Sequence, residues 1–376
     1  MGFSARKLSA FYSKVIRLGN SIQTTNANGF SSNSLGNAIA VSEYIEIPNE
    51  SQPEPAIKVY SLNGTNWSQV GNNILRPQDP NSRLNIETWG DNIKINSNGN
   101  VIAFNYYERI QESPRLVQNK TRVLTWNGSN WIQLGSDIVS PISEVSSSIQ
   151  MVANSSCDRL FICVRYSGIY KNSVFSWNGS SWNQIGADIG PSNALWLVPS
   201  MNSAGDRIAL FSRPQGSYGE IRVFSFNGSS WVQTGATITG TAAPYLSYGG
   251  SIALNSSGDI LCAEYETGAG SDQKYLRFFS FNGSSWVQVK QNLNIKTGEP
   301  QISLLSNGDT IAYYENSIFH SSEVYVSTWN GSSWVEFFIQ PGTGSYTGGA
   351  AIPNSLENYV AYTSGNNIIV LKLLDK

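Results

Sequence analysis

Six times this chain closes a β-rich run on a bulky residue, writes Asn-Gly, and opens the next run on tryptophan. The turns begin at Asn63, Asn127, Asn178, Asn227, Asn282 and Asn330, and the following strands open on Trp67, Trp131, Trp182, Trp231, Trp286 and Trp334. Asn-Gly between two β-rich runs predicts a hairpin, because both residues tolerate the positive φ of a tight turn. Successive asparagines stand 64, 51, 49, 55 and 48 residues apart. A strands-only repeat of roughly 40 to 55 residues is the length of one blade in a radial array of four-stranded sheets.

A second unit runs out of phase with the first: an apolar strand, a turn of the form Asn-Ser-x-Gly-Asp, and another apolar strand. Its clearest copy spans residues 251–263; the turn recurs at Asn96, Asn154, Asn202 and Ser306, and more loosely at Asn33 and Asn354. That makes seven turns against six hairpins. The chain ends resolve the mismatch. Each hairpin leads into a strand close to Trp-x-Gln-x-Gly-x-x-Ile, and residues 15–22 match that strand with no hairpin before them. Residues 368–374 resemble the strand before a hairpin, with none after.

The sequence therefore predicts an all-β fold, a seven-bladed β-propeller of four-stranded antiparallel blades. Residues 15–22 are expected to pair with residues 367–374 and close the ring, hiding the unpaired strand edges an open stack would leave. The blades fall at about 30–74, 92–138, 146–189, 197–238, 248–293, 299–339, and 349–374 plus 15–22, after an N-terminal arm over residues 1–14. Length alone would allow two domains in 376 residues, but the repeat runs end to end and reads as one.

Composition narrows the function. Charged residues make up 13% of the chain, about half the usual fraction, while 40% is hydrophobic. A net charge of −2 offers no electrostatic footprint for a phosphate backbone, so no nucleic acid is expected as a partner. No stretch is long enough to insert in a bilayer. The basic cluster Arg6, Lys7, Lys14 and Arg17 reads as a solvated extension, or as a short docking helix through Leu8, Phe11 and Val15. The segment lacks the apolar run of a signal peptide, and Arg6 stands where a myristoylation motif needs Ser or Thr.

Catalytic chemistry is sparse. The single histidine, His320, sits in a loop pattern with no base–orienter pair around it. Glu46, Glu50, Glu54, Glu108 and Glu112 could in principle supply a glycosidase pair, but no motif embeds them. The turns carry one acid each, as at Asp259 and Asp309, too few for a calcium loop. Cys157, Cys163 and Cys262 are odd in number and irregularly spaced, which predicts buried thiols rather than disulfides. No catalytic residue, metal or cofactor is expected. The Asn-Gly-Ser/Thr sequons read as turn chemistry, and the recurrent tryptophans as packing across the hairpin rather than sugar platforms.

In a four-stranded blade, the Asn-Ser-x-Gly-Asp and Asn-Gly turns share one face of the disc and hardly vary. The remaining connections share the other face and differ in every blade, so partner contacts are expected there. Glu50, Glu54, Glu112, Arg115, Tyr218 and Asp272 mark that variable face, with Arg6 and Lys7 from the arm as helpers.

Repeats of the form Trp-Asn-Gly-Ser-Ser-Trp-x-Gln-x-Gly, alternating with Ser-x-Ala-Leu-Asn-Ser-x-Gly-Asp-x-Ile-Ala, resemble those of β-propeller structural proteins from phages and large algal viruses, and of surface proteins from aquatic microbes. The second unit is also distantly similar to integrin-α-type propeller repeats, without their calcium loops. The likeness spans residues 15–374. It implies a non-enzymatic virion structural or attachment protein, a capsid decoration, spike or tail component. Such a protein would bind other virion proteins and a host-surface glycan or protein, and would reside at the virion surface or tail. The alternative is a secreted or cell-surface propeller, lectin-like or adhesive.

Overall fold

The computed structural model describes residues 12–25, 27–46, 53–76, 89–111, 116–143, 149–166, 168–214, 219–239, 251–266, 274–295, 301–315, 323–339, 359–364 and 366–375. Regular structure among them is entirely β-strand, arranged in seven antiparallel sheets. No helix of the described residues is long and apolar enough to cross a membrane.

The second blade shows the plan. From the axis outward, its strands are Asp91–Ile95, Val101–Gln111, Leu116–Trp126 and Trp131–Gln133, and Ile138–Ser143 continues the outer strand along the same edge. The break in that outer strand falls at Leu134-Gly135-Ser136-Asp137. Gly135 has φ 75°, and equivalent glycines at 19, 71, 186 and 235 have φ between 70° and 76°. The glycine of the Trp-x-Gln-x-Gly-x-x-Ile pattern is therefore the hinge of a bulge that only a residue without Cβ adopts cheaply.

Closure occurs as the repeat mismatch requires. Tyr12–Arg17 pairs with Asn367–Asp375, placing Val15 opposite Leu373 and Arg17 opposite Leu371. After the same bulge, Ile22 lies opposite Ile368. The outer strand thus begins at Tyr12, three positions before the predicted start. The expected inner strand of this blade, near residues 349–354, lies outside the described residues.

The core is a ring of seams. Seven clusters of buried side chains each bridge two neighbouring blades, including one between the last blade and the first. Along Ala38–Ile45, Ile39 and Val41 face the seventh blade, while Ala38 and Ala40 face the second. A strand buried on both faces loses polar alternation, which explains the continuous apolar runs in the sequence.

One turn expectation is corrected. In five hairpins the paired residues, such as Trp126 and Trp131, flank a four-residue loop as the repeat has it, and what differs is the role of its asparagine. Gly128 takes φ 100°, but Asn127 is not among the described residues with positive φ. The Asn127 Oδ1 instead accepts N–H bonds from Ser129 at 3.0 Å and Asn130 at 2.8 Å, plus the Ser129 hydroxyl at 3.1 Å. The motif is written Asn-Gly-Ser because asparagine caps the loop with its side chain.

Candidate functional site

Most recurrent polar and aromatic residues are committed to joining blades. Each hairpin tryptophan donates its indole N–H to a carbonyl in the bulge of the preceding blade. Trp67 reaches Leu18, Trp131 reaches Val70, Trp182 reaches Leu134, Trp231 reaches Ile185 and Trp286 reaches Thr234, all at 2.9–3.0 Å. Trp334 reaches Gln291 at 2.9 Å, two residues beyond the equivalent Val289, in the blade where Lys290 stands in place of the bulge glycine. The rings also pack on the aromatic across the hairpin, for example Trp177 on Trp182 at 5.6 Å. Packing across the hairpin was legible in sequence; the bond to the neighbouring blade was not.

The second motif is equally structural. Asn96 Oδ1 accepts the N–H groups of Asn100 and Val101, both at 2.9 Å. Asn33, Asn154, Asn202 and Asn255 cap their own turns in the same manner. The serine after the asparagine then stitches the ring. Ser97 N–H donates to the Ser155 carbonyl, Ser155 to Ser203 and Ser203 to Ser256, at 2.8–3.0 Å.

Of the variable-face residues, the structure places Glu54, whose carboxylate accepts a 2.6 Å ion pair from Arg76. Glu50, Glu112, Arg115, Tyr218, Asp272, Arg6 and Lys7 lie outside the described residues, as does His320. Among the candidate acids, Glu46 is exposed and Glu108 pairs with Lys120.

Sequence reading missed two fully buried acids. Glu43 accepts the Thr25 N–H at 2.8 Å and pairs with Lys58 at 2.6 Å, anchoring the link from the closing strand into the first blade. Glu264 accepts the Ser251 N–H at 3.2 Å and pairs with Lys274 at 3.0 Å, doing the same for the fifth. Asp137 belongs to a third network, taking two bonds from Arg122 at 2.7 and 2.8 Å and one from the Tyr106 hydroxyl at 2.6 Å. Burial raises its carboxyl, but these bonds outweigh burial and hold it below the usual range. In each case the acid is tied to a cation.

All three cysteines are free and buried, and burial pushes each thiol up, to about 12 for Cys157. Such thiols are poor nucleophiles. Among the described residues no three His, Cys, Asp or Glu side chains form a group able to hold a metal ion.

Among the described residues, two features suit a partner. At the variable-face ends of strands in the first four blades, Tyr44, Ile110, Ile169, Leu195 and Trp196 are exposed, Trp196 by 46%. On the axis, the inner strands enclose a channel cavity of about 390 Å³. Serines from strands and turns line it, and Lys94 is its one charged residue among the described lining. The signal for Lys94 was a break in the repeat: two residues before the turn asparagine, other blades carry Ser31, Val152, Ser200 and Ala253.

No protein-family model matches the sequence. No curated protein matches it either. Solved structures share the fold at low identity. The WD40 domain of Toxoplasma gondii coronin aligns with TM-score 0.58 and 7% identity, over 96% of this chain and 86% of that one. The β-propeller domain of the Trilobed protease from Pyrococcus furiosus gives 0.53 and 10%, over 95% and 94%. Kuenenia stuttgartiensis hydrazine synthase gives 0.56 and 10%, over 94% and 98%. These likenesses establish the propeller, a fold that carries enzymes and binding modules alike.

Proposed function

We propose that this chain is a non-catalytic binding scaffold that meets macromolecular partners with its variable face, and that it serves as a structural or attachment component of a virion. The observation that supports scaffolding is the exposed apolar set Tyr44, Ile110, Ile169, Leu195 and Trp196. A tryptophan nearly half exposed at a strand end is the kind of anchor that interfaces favour. The opposite face offers turns closed by their own asparagines and serines. The virion placement draws on the repeat resemblance and the charge-poor surface.

Against the lectin-like alternative stands the structural use of the six hairpin indoles, whose N–H groups are donated between blades. Mass spectrometry and hydroxyl-radical footprinting of purified virus particles test the proposal. The chain should be present, with Tyr44, Leu195 and Trp196 protected relative to the isolated protein. Absence from particles, or protection confined to the Asn-Gly turns, refutes it.

A further inference from the structure

We propose that the central channel binds a small molecule carrying a phosphate or carboxylate group, with Lys94 as counter-charge and serine hydroxyls as hydrogen-bond partners. The register of the inner strands carries the argument. Two residues before the turn, Ser31 and Ser200 use their hydroxyls to accept N–H bonds from the next blade, from Ile95 at 3.4 Å and from Leu254 at 2.9 Å. An ammonium has no acceptor to offer, so Lys94 makes no such stitch to the third blade, and neither can Val152 or Ala253 at the same position of theirs.

Placing a lysine there also opposes folding. Burial disfavours its charged form and pushes its pKa down, and no carboxylate pairs with it among the described residues. The described channel lining contains no Asp or Glu at all. A residue that breaks a repeat at a cost to stability, inside a cavity, marks a site where the ligand supplies the missing partner.

The chemistry of the lining selects that ligand. An ammonium and hydroxyls form charge-assisted and neutral bonds to an oxyanion. The turn serines Ser97 and Ser203 line the same cavity as Lys94, and Ile95 and Val152 give apolar contact for the rest of the molecule. At about 390 Å³ the cavity falls in the range of small-molecule sites rather than of a bare ion.

Isothermal titration calorimetry of the full chain tests this with ribose 5-phosphate, glucuronate and uncharged ribose. Saturable binding of either anion, with none for ribose, is expected, and the better anion identifies the head group. Lys94→Ser installs the residue that the first and fourth blades carry at this position, Ser31 and Ser200, and should weaken anion binding at least about tenfold while remaining folded. Lys94→Met serves the same comparison if the serine variant unfolds. Lys94→Arg should retain binding, and Lys171→Ser, outside the channel, should not change it. The proposal is overturned if neither anion binds by about 10 mM, if ribose binds as tightly, or if a folded Lys94→Ser protein binds the anion unchanged.

Discussion

Gly135→Ala separates two reasons for a glycine in the outer-strand bulge. At Gly135 φ is 75°, and an added Cβ would lie 2.5 Å from Cζ3 of Trp177 in the next blade. At Gly128, in the hairpin of the same blade, φ is 100° but a Cβ would meet nothing within 4 Å. Both substitutions incur the left-handed penalty of about 1–2 kcal/mol. Gly135→Ala alone adds overpacking against a rigid ring, about 1–3 kcal/mol more. For 376 residues the unfolding entropy is near ~0.8 kcal/mol/K, so each kcal/mol moves Tm by about 1.3 °C. Differential scanning calorimetry should therefore show Tm falling by about 1–3 °C for Gly128→Ala and about 3–6 °C for Gly135→Ala. Trp177→Phe removes the clashing ring atoms and leaves Trp182 Cδ1 at 3.2 Å as the nearest contact. In that background the extra cost of Gly135→Ala should largely vanish, a coupling of about 1–3 kcal/mol in the cycle. Equal losses for the two alanines, or no coupling to Trp177, would refute the account of the bulge as a seam contact.

Deleting residues 1–25 strips the outer strand from Asn367–Asp375 and removes the Trp67–Leu18 and Thr25–Glu43 bonds, so light scattering should show association through the bared edge and calorimetry a much lower Tm. Trp182→Phe leaves the Leu134 carbonyl without its indole donor and should cost about 1–3 kcal/mol, read as a Tm shift. Asp137 has a folded pKa below its unfolded one, so its stabilisation is present above about pH 4 and is lost as pH falls through the folded value. Asp137→Asn should accordingly flatten the acid limb of a Tm-against-pH profile and lower Tm at pH 7.

Blade number, strand order and ring closure were legible in the amino-acid sequence because they rest on short-range signals: turn residues at a fixed period, apolar runs between them, and unmatched strands at the two ends. The tertiary structure decided what the recurring residues touch. Asn127 looked like a residue chosen for positive φ, yet it works by capping, a distinction that needs the loop's backbone geometry. Trp131 looked like a partner for Trp126 and is one, but its indole also bonds to Val70, 61 residues earlier. A single repeat cannot reveal such a bond, because both groups meet only when two blades stack. Lys94 is the sharpest case. In sequence it is one lysine between two isoleucines; strand alternation buries Ile93 and Ile95 against the first blade and turns Lys94 to the side of the third, while the ring brings it into the lining of the channel. Only ring closure turns that position into the inside of a cavity, where Lys94 is the one charge among the described lining residues.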